Sequence, residues 1–328
     1  MKKKLFFASV FLLGLVGAYA QTGYVLKIGY AIQSTLCAAP LFIAVEKGFY
    51  EEEGLAYEAV KIDNTQIPAL LTAGQIDVTN HLLAVMIQPL ANGLDAKIPL
   101  ALHTGCIKVL VDPKSSIQRP EDLKGKRIGV PGMGGSPTLI TQRYLAKRGI
   151  GTVPPKLEVE WFVYPMSELG LALERGQVDA IALSDPIAQI IQNNGKGRAI
   201  IDTAVDAEIK DEFCCALVAS GAAAKTHPEE LAKFTRAIQK ASKFVQENPD
   251  ETAKIIADKK YVAGDPKVNA GLLRNFNYRA SVSEAKIAID RNAKDLQKIG
   301  LVNKNVNVAR LTNTVFLPLK GVPDSLYK

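Results

Sequence analysis

Three histidines, one tryptophan and four cysteines are few for a chain of 328 residues, and each scarcity excludes something. His81, His103 and His227 are isolated from one another with no metal-ligand pairing, so no metal site is expected. Four cysteines in a chain this long do not make a disulfide scaffold. Cys214 and Cys215 are adjacent and are not expected to pair. Cys37 and Cys106 each follow an expected strand and leave two readings open: a disulfide, or two small buried apolar side chains. No Gly-Lys-Ser/Thr follows the glycine-rich segment Gly129–Gly135, which excludes a nucleotide P-loop. Gly132-Met133-Gly134-Gly135 lacks the spacing and the acidic partner of a dinucleotide fingerprint. There is no Gly-x-Ser-x-Gly elbow. No basic run is interleaved with aromatics, so nucleic acid is not an expected partner. No cofactor is expected either.

What is there begins with a leader. Lys2, Lys3 and Lys4 precede an apolar run from Leu5 to Gly17, and Ala18-Tyr19-Ala20 offers small residues where a signal peptidase reads. Residues 1–20 are therefore expected to be a signal peptide, cut before Gln21. The run is short for a membrane span, which needs about 20 residues. No Cys stands at the cut, so no lipid anchor is expected. Loss of the three lysines lowers the net charge from +7 to +4. About 308 residues remain after such a cut, enough for one large domain or two smaller ones.

Those residues repeat a pattern. Lys27-Ile28-Gly29-Tyr30 is answered by Gly74-Gln75-Ile76-Asp77-Val78. Arg127-Ile128-Gly129-Val130 is answered by Gly176-Gln177-Val178-Asp179-Ala180. The step from Ile28 to Asp77 is 49 residues and from Ile128 to Asp179 it is 51. Each copy reads strand, helix, strand, helix, third strand, which argues for an α/β lobe with a mostly parallel sheet flanked by helices. In the first copy, strands are expected at Val25–Tyr30, Leu55–Ile62, from Val78, and at Ile98–Leu102, with a helix at Thr65–Ala73. In the second they are expected at Arg127–Val130, Leu157–Val163 and Ala180–Leu183, with helices at Thr138–Arg148, Ser167–Arg175 and Pro186–Gln192. Phe213–Ala219 reads as a strand, and helices then dominate: Pro228–Glu247, Asp250–Lys259, Pro266–Arg274 and Val282–Ile299. The last third has no strand set of its own and is expected to complete the first lobe. The division is therefore 21–107 plus 217–328 for one lobe and 108–216 for the other, hinged by two chain crossings.

In such a sheet, ligands meet the carboxyl ends of the strands, and a cleft between lobes binds small molecules. Those ends place Gln33, Ser34, Thr35 and Cys37, then Asn80 and His81, then His103, Thr104 and Gly105 in the first lobe. The second lobe supplies Gly135, Ser136, Pro137 and Thr138, then Tyr164, then Ser184 and Asp185. Most are small polar or aromatic groups. The Gly-Gly-Ser-Pro-Thr segment is the strongest local signal: Ser136 can cap a helix, Pro137 fits its first position, and free N–H groups there favour an anion. An ordinary capped helix explains the same residues. Asp185 before Pro186 reads equally as an N-cap or as a holder of a cationic or hydroxyl group. Trp161 is expected in the core and Glu51–Glu53 at a solvated helix end.

The segment Ala39-Pro40-Leu41-Phe42-Ile43-Ala44-Val45-Glu46-Lys47-Gly48-Phe49-Tyr50-Glu51-Glu52-Glu53-Gly54-Leu55 resembles the periplasmic substrate-binding proteins of ABC importers for nitrate, sulfonate, taurine and thiamine-pyrimidine precursors. The resemblance continues through Leu71–Asp77, Glu121–Val130 and His227-Pro228-Glu229. It implies the two-lobed periplasmic binding protein fold (type II), closing on one small molecule without chemistry on it. It also implies an extracytoplasmic, periplasmic location, an ABC permease with a cytoplasmic ATPase as partner, and a monomer. Its motifs do not name the ligand. The glycine-rich helix start favours a small organic anion such as a sulfonate or taurine. The lack of a strand-end arginine leaves an aromatic heterocycle, a pyrimidine or flavin precursor, as the alternative. Fungal thiamine-pyrimidine synthases share the superfamily and carry a cysteine cluster near where Phe213-Cys214-Cys215 lies. They also use a Lys and a His where this chain has His81 and Val85. With only two cysteines there and an export leader ahead, an enzyme is not expected.

Overall fold

The computed structural model describes residues 23–31 and 35–327. The expected leader at 1–20 and the strand-end pair Gln33 and Ser34 lie outside the described residues. The chain runs β1 (Leu26–Ala31), β2 (Tyr57–Ile62), β3 (Val78–Leu82), β4 (Ala96–Lys97) and β5 (Ala101–Thr104) in one lobe. It crosses over for β6 (Ile107–Val111), β7 (Arg127–Val130), β8 (Thr152–Val153), β9 (Lys156–Leu157), β10 (Glu160–Val163), β11 (Ala180–Ser184) and β12 (Arg198–Asp202). It then returns as β13 (Phe213–Ser220).

The two sheets share one plan. The first has the order β2-β1-β3-β13-β4 with β5 on β13, and the second has β10-β7-β11-β6-β12. In each, the first strand of the copy pairs in parallel with two neighbours. An antiparallel strand then follows, β13 in one sheet and β6 in the other. These antiparallel members are the strands by which the chain enters or leaves a lobe.

The repeated residues explain the repeated geometry. Gly74 and Gly176 stop their helices at φ +66° and +63°, a left-handed turn that costs glycine little. Asp77 Oδ2 accepts from the backbone N–H of Lys27 at 2.8 Å, and Asp179 Oδ2 accepts from that of Arg127 at 2.8 Å. Each aspartate thus fixes the start of its third strand against the first. A Cβ on Gly29 would lie 2.7 Å from Ile62 Cδ1, and one on Gly129 would lie 3.0 Å from Leu169 Cδ2. Both strands are kept bare so that neighbouring side chains can close over them.

The long helix Pro228–Glu247 buries Leu231, Phe234, Ile238, Ala241 and Val245 along one face and packs on Ala39–Glu46 and Phe49–Glu52. Helix Val282–Lys298 packs on Leu83–Ala91 and β13. Several elements differ from the sequence expectation for local reasons. The Thr65–Ala73 helix divides into a 3-10 turn at Asn64–Gln66, started by Asp63 accepting from Thr65 N–H, and a helix at Ile67–Thr72. Pro99 separates β4 from β5, where one strand was expected. The Leu157–Val163 strand is split because Leu157 pairs back with Thr152 across a Pro154-Pro155 turn. Helices Gly221–Thr226 and Val308–Val315 were not foreseen; Ser220 and Asn307 cap them by accepting from Ala223 and Arg310 N–H groups. No helix among the described residues is long and apolar enough to cross a membrane.

Candidate functional site

The two crossings touch. Gly105 follows β5 at φ +58°, and a Cβ there would sit 2.4 Å from Ala204 Cα. Thr203 Oγ1 accepts from the N–H groups of Cys106 and Ile107 at 3.0 and 2.9 Å, and donates to Ile107 O at 3.0 Å. Gly105, expected to meet ligand, stands at a close backbone approach between the two crossings.

Around that crossing the first lobe gathers the strand-end groups. Thr35 precedes the turn Leu36–Ala38 without capping it through its side chain. Asn80 Nδ2 donates to Cys37 O at 3.3 Å, tying the ends of β1 and β3. His81 is buried, and desolvation pushes its pKa down to about 4, so the imidazole is neutral at pH 7. His103 is buried against Phe276 and Tyr278, with ring centroids 5.7 and 4.8 Å away. Its Nδ1 lies 3.1 Å from Thr104 O and 3.8 Å from Cys214 Sγ, while its Nε2 and Thr104 Oγ1 are buried without partners. All four cysteines are free thiols, so Cys37 and Cys106 form no disulfide. Cys106 Sγ stands 3.3 Å from Cys214 Sγ, not bonded to Cys37. The hydrogen bond between Cys106 and Cys214 pushes the Cys214 thiol down and the Cys106 thiol up.

In the second lobe the glycine-rich turn leads into helix Ser136–Lys147. Gly135 is its N-cap and no side chain caps it, so Ser136 is not the cap and Pro137 stands second, not first. Ser136 lies inside the helix start with its buried hydroxyl unpartnered. Thr138 Oγ1 closes the turn instead, donating to Gly132 O at 2.7 Å. Tyr164 continues β10 by donating its N–H to Val130 O at 3.0 Å and packs half-buried beside the second lobe's own core. Ser184 is buried at the end of β11. Asp185 is not the N-cap, which is Pro186; from one residue farther out its Oδ1 accepts from Gln189 N–H at 3.1 Å. Its other oxygen faces the Lys108 ammonium at 3.5 Å, and Lys108 also bonds Asp202. Burial pushes Asp185 up to about 7; the Lys108 charge opposes this, and the Asp202 charge adds to it.

Residues from both lobes meet where Ala84, Gly105 and Cys214 face Ile140, Arg143 and Thr203 around a space of only ≈ 10 Å³. That is about the room one water needs. Arg143 bridges them. Its guanidinium donates to Asp295 at 2.6 Å, Asn292 at 2.9 Å and Glu212 at 2.8 Å. A larger depression of ≈ 350 Å³, beside Asp112, Lys126 and Asp179, lies at the opposite ends of β7 and β11. It is remote from the carboxyl ends where parallel strands present ligand-binding loops.

Arg143, Lys108, Asp202 and Thr203 are absent from the sequence-derived site. Lys108 left a signal, a charge inside the apolar run Ile107–Val111. Arg143 left none, because its partners lie on distant segments.

The family model described as "NMT1/THI5 like" matches residues 37–252. A Bacillus subtilis (strain 168) protein provisionally named as aliphatic sulfonates-binding is 27% identical over 325 residues, 94% of this chain and 93% of that protein. An Aspergillus parasiticus protein named 4-amino-5-hydroxymethyl-2-methylpyrimidine phosphate synthase is 24% identical over 73% of this chain and 72% of its own length. The crystal structure of the periplasmic aliphatic sulphonate binding protein SsuA from Escherichia coli superposes with a TM-score of 0.74 at 17% identity, covering 93% of this chain and 95% of that one. With two like lobes joined by two touching crossings, and a family match across both, the chain belongs to the NMT1/THI5-like family.

Proposed function

We propose that the protein is the extracytoplasmic solute-binding component of an ABC importer. It holds one small molecule between its lobes and passes it to the permease, without catalysis. The observation that carries this reading is the meeting of strand ends from both lobes beside two crossings that touch. The lobes are taken as 21–107 plus 217–328 and 108–216, with the leader at 1–20 removed on export to the periplasm. The partners are the permease subunits with their cytoplasmic ATPase, and the binding protein acts as a monomer. Ligand binding then works as a population shift, because only the closed form offers contacts from both sides.

A small organic anion of the sulfonate or taurine kind is the favoured ligand. The buried, unpartnered Ser136 hydroxyl stands at the start of a twelve-residue helix, where N–H groups favour negative charge. Thr35, Asn80, Thr104, Pro137, Thr138, Ser184 and Asp185 are assigned to the same cleft, with His81 and His103. A heterocycle is the second reading. It is favoured by the His103, Phe276 and Tyr278 rings and by Arg143 being already committed to carboxylates. The synthase reading is weaker, since His81 and Val85 stand where those enzymes use a Lys and a His and only two cysteines follow Phe213.

A thermal-shift screen over sulfonates, nitrate, carboxylates, pyrimidines and flavins tests this. A true ligand at 100 times its Kd adds about 2.7 kcal/mol of stability. Ser136→Trp is expected to abolish that shift in a folded protein. No shift from any class removes the solute reading, and turnover of a hit into a new product replaces it with an enzyme.

A further inference from the structure

Four free thiols from three parts of the chain converge at the carboxyl end of β1 and the start of β13. The sulfurs of Cys37, Cys106 and Cys215 lie within 4.8 Å of one another. Cys214 Sγ stands 3.3 Å from Cys106 and 3.8 Å from Cys215. Cys37 comes from the turn after β1, Cys106 from the first crossing, and the other two from β13. Adjacent residues of a regular strand point to opposite faces of the sheet, which would part Cys214 from Cys215. Here β13 shifts register against β5 on both sides of Cys215. Bulges of this kind re-aim side chains, and the two sulfurs come side by side. A ring nitrogen of His103 lies within 4.8 Å of the Cys214 and Cys215 sulfurs.

We propose that Cys37, Cys106, Cys214 and Cys215 bind one thiophilic divalent cation of the Zn²⁺ type, with His103 against the cluster. A metal–sulfur bond of about 2.3 Å makes the edge of a tetrahedron of sulfurs about 3.8 Å long. Cys214 stands near that edge length from Cys106 and Cys215, at 3.3 and 3.8 Å, and the Cys37, Cys106 and Cys215 sulfurs lie within 4.8 Å of one another; Cys37 and Cys214 fall in different groups, so loading has to draw these two sulfurs together. A disulfide would use two of the sulfurs and give the other two no role. An all-sulfur donor set selects soft cations over Mg²⁺ or Ca²⁺. The cation displaces thiol protons as it binds, so loading releases protons to solvent. Because cysteines fill the coordination sphere, the metal acts structurally. It staples the turn after β1, the first crossing and the entry of β13, the three segments that shape the first lobe's side of the cleft. This assignment stands whatever solute the cleft takes.

The test uses the purified chain, kept reduced, stripped with a chelator and titrated with Co²⁺, then with Zn²⁺ in competition. One Co²⁺ per chain is expected, with thiolate-to-cobalt charge-transfer bands and tetrahedral d–d bands that Zn²⁺ abolishes. Cys106→Ser and Cys215→Ser should each weaken binding by about 10-fold or more, and metal should raise Tm. A reduced chain with four titratable thiols and none of these bands overturns the proposal. So does a band unchanged in Cys37→Ser together with Cys215→Ser. The wild-type titration decides the question by itself, even where a variant fails to fold.

Discussion

His81 shows how burial converts one residue into a pH response. Its folded pKa is depressed from 6.5 to about 4, so the unfolded chain binds more protons between those values. The stability that comes from keeping it neutral is complete above pH 6.5 and is lost as pH falls through 4. Asp185 works the other way: raised from 3.8 to about 7, it favours the folded state on acidification across that range. The wild-type curve alone therefore mixes two opposed slopes, and a variant separates them. The stability of His81→Gln relative to wild type should rise as pH falls from 6.5 to 4, approaching about 3 kcal/mol. Chemical denaturation of both proteins at several pH values measures it, and parallel curves would rule out a buried neutral His81.

At the scale of elements, the crossings carry the sharpest steric demand. Gly105 has φ +58° and no space for a Cβ against Ala204. Gly132 and Gly134 have nothing within 4 Å of a built Cβ. Gly105→Ala should cost about 2–4 kcal/mol in urea unfolding, while Gly134→Ala should change little. Equal effects would mean that the crossings are not tightly held. The periodicity of strands and helices was legible in the sequence because turn chemistry is local: Gly74, Gly176, Pro228 and Pro266 punctuate as expected. The two Gly-Gln-x-Asp turns were legible as repeats, but not that each aspartate reaches back about 50 residues to the first strand of its copy. What was not legible was the order in which β13 and β6 enter the sheets, or the register shifts around Cys215. Both depend on partners far along the chain.

For the whole molecule, Arg143 is the principal polar bond between the lobes. It sits in the second lobe's helix Ser136–Lys147 and reaches Asn292 and Asp295 in helix Val282–Lys298 of the first. Removing it leaves Asp295 with only the Lys147 ammonium at 3.7 Å and takes away the guanidinium bonds between the two helices. Arg143→Ala without ligand should therefore populate a more open form, with a larger radius of gyration in solution scattering. An unchanged radius would show that apolar packing between the lobes suffices.

The chain by itself determined that two similar α/β units follow one another, where their strands begin, and which family they resemble. Those features rest on residues close in sequence: strand–turn–helix periodicity, glycine conformations and capping side chains. Only the tertiary structure decided what the scattered residues do together. It set Gly105 against Ala204 at the crossing, paired Lys108 with Asp185 and Asp202, and linked the lobes through Arg143. It also brought together Cys37, Cys106, Cys214 and Cys215, whose separations along the chain match no metal-ligand spacing. A site assembled from strand ends has no sequence period of its own, because the sheet order that joins them is fixed by packing across the whole fold.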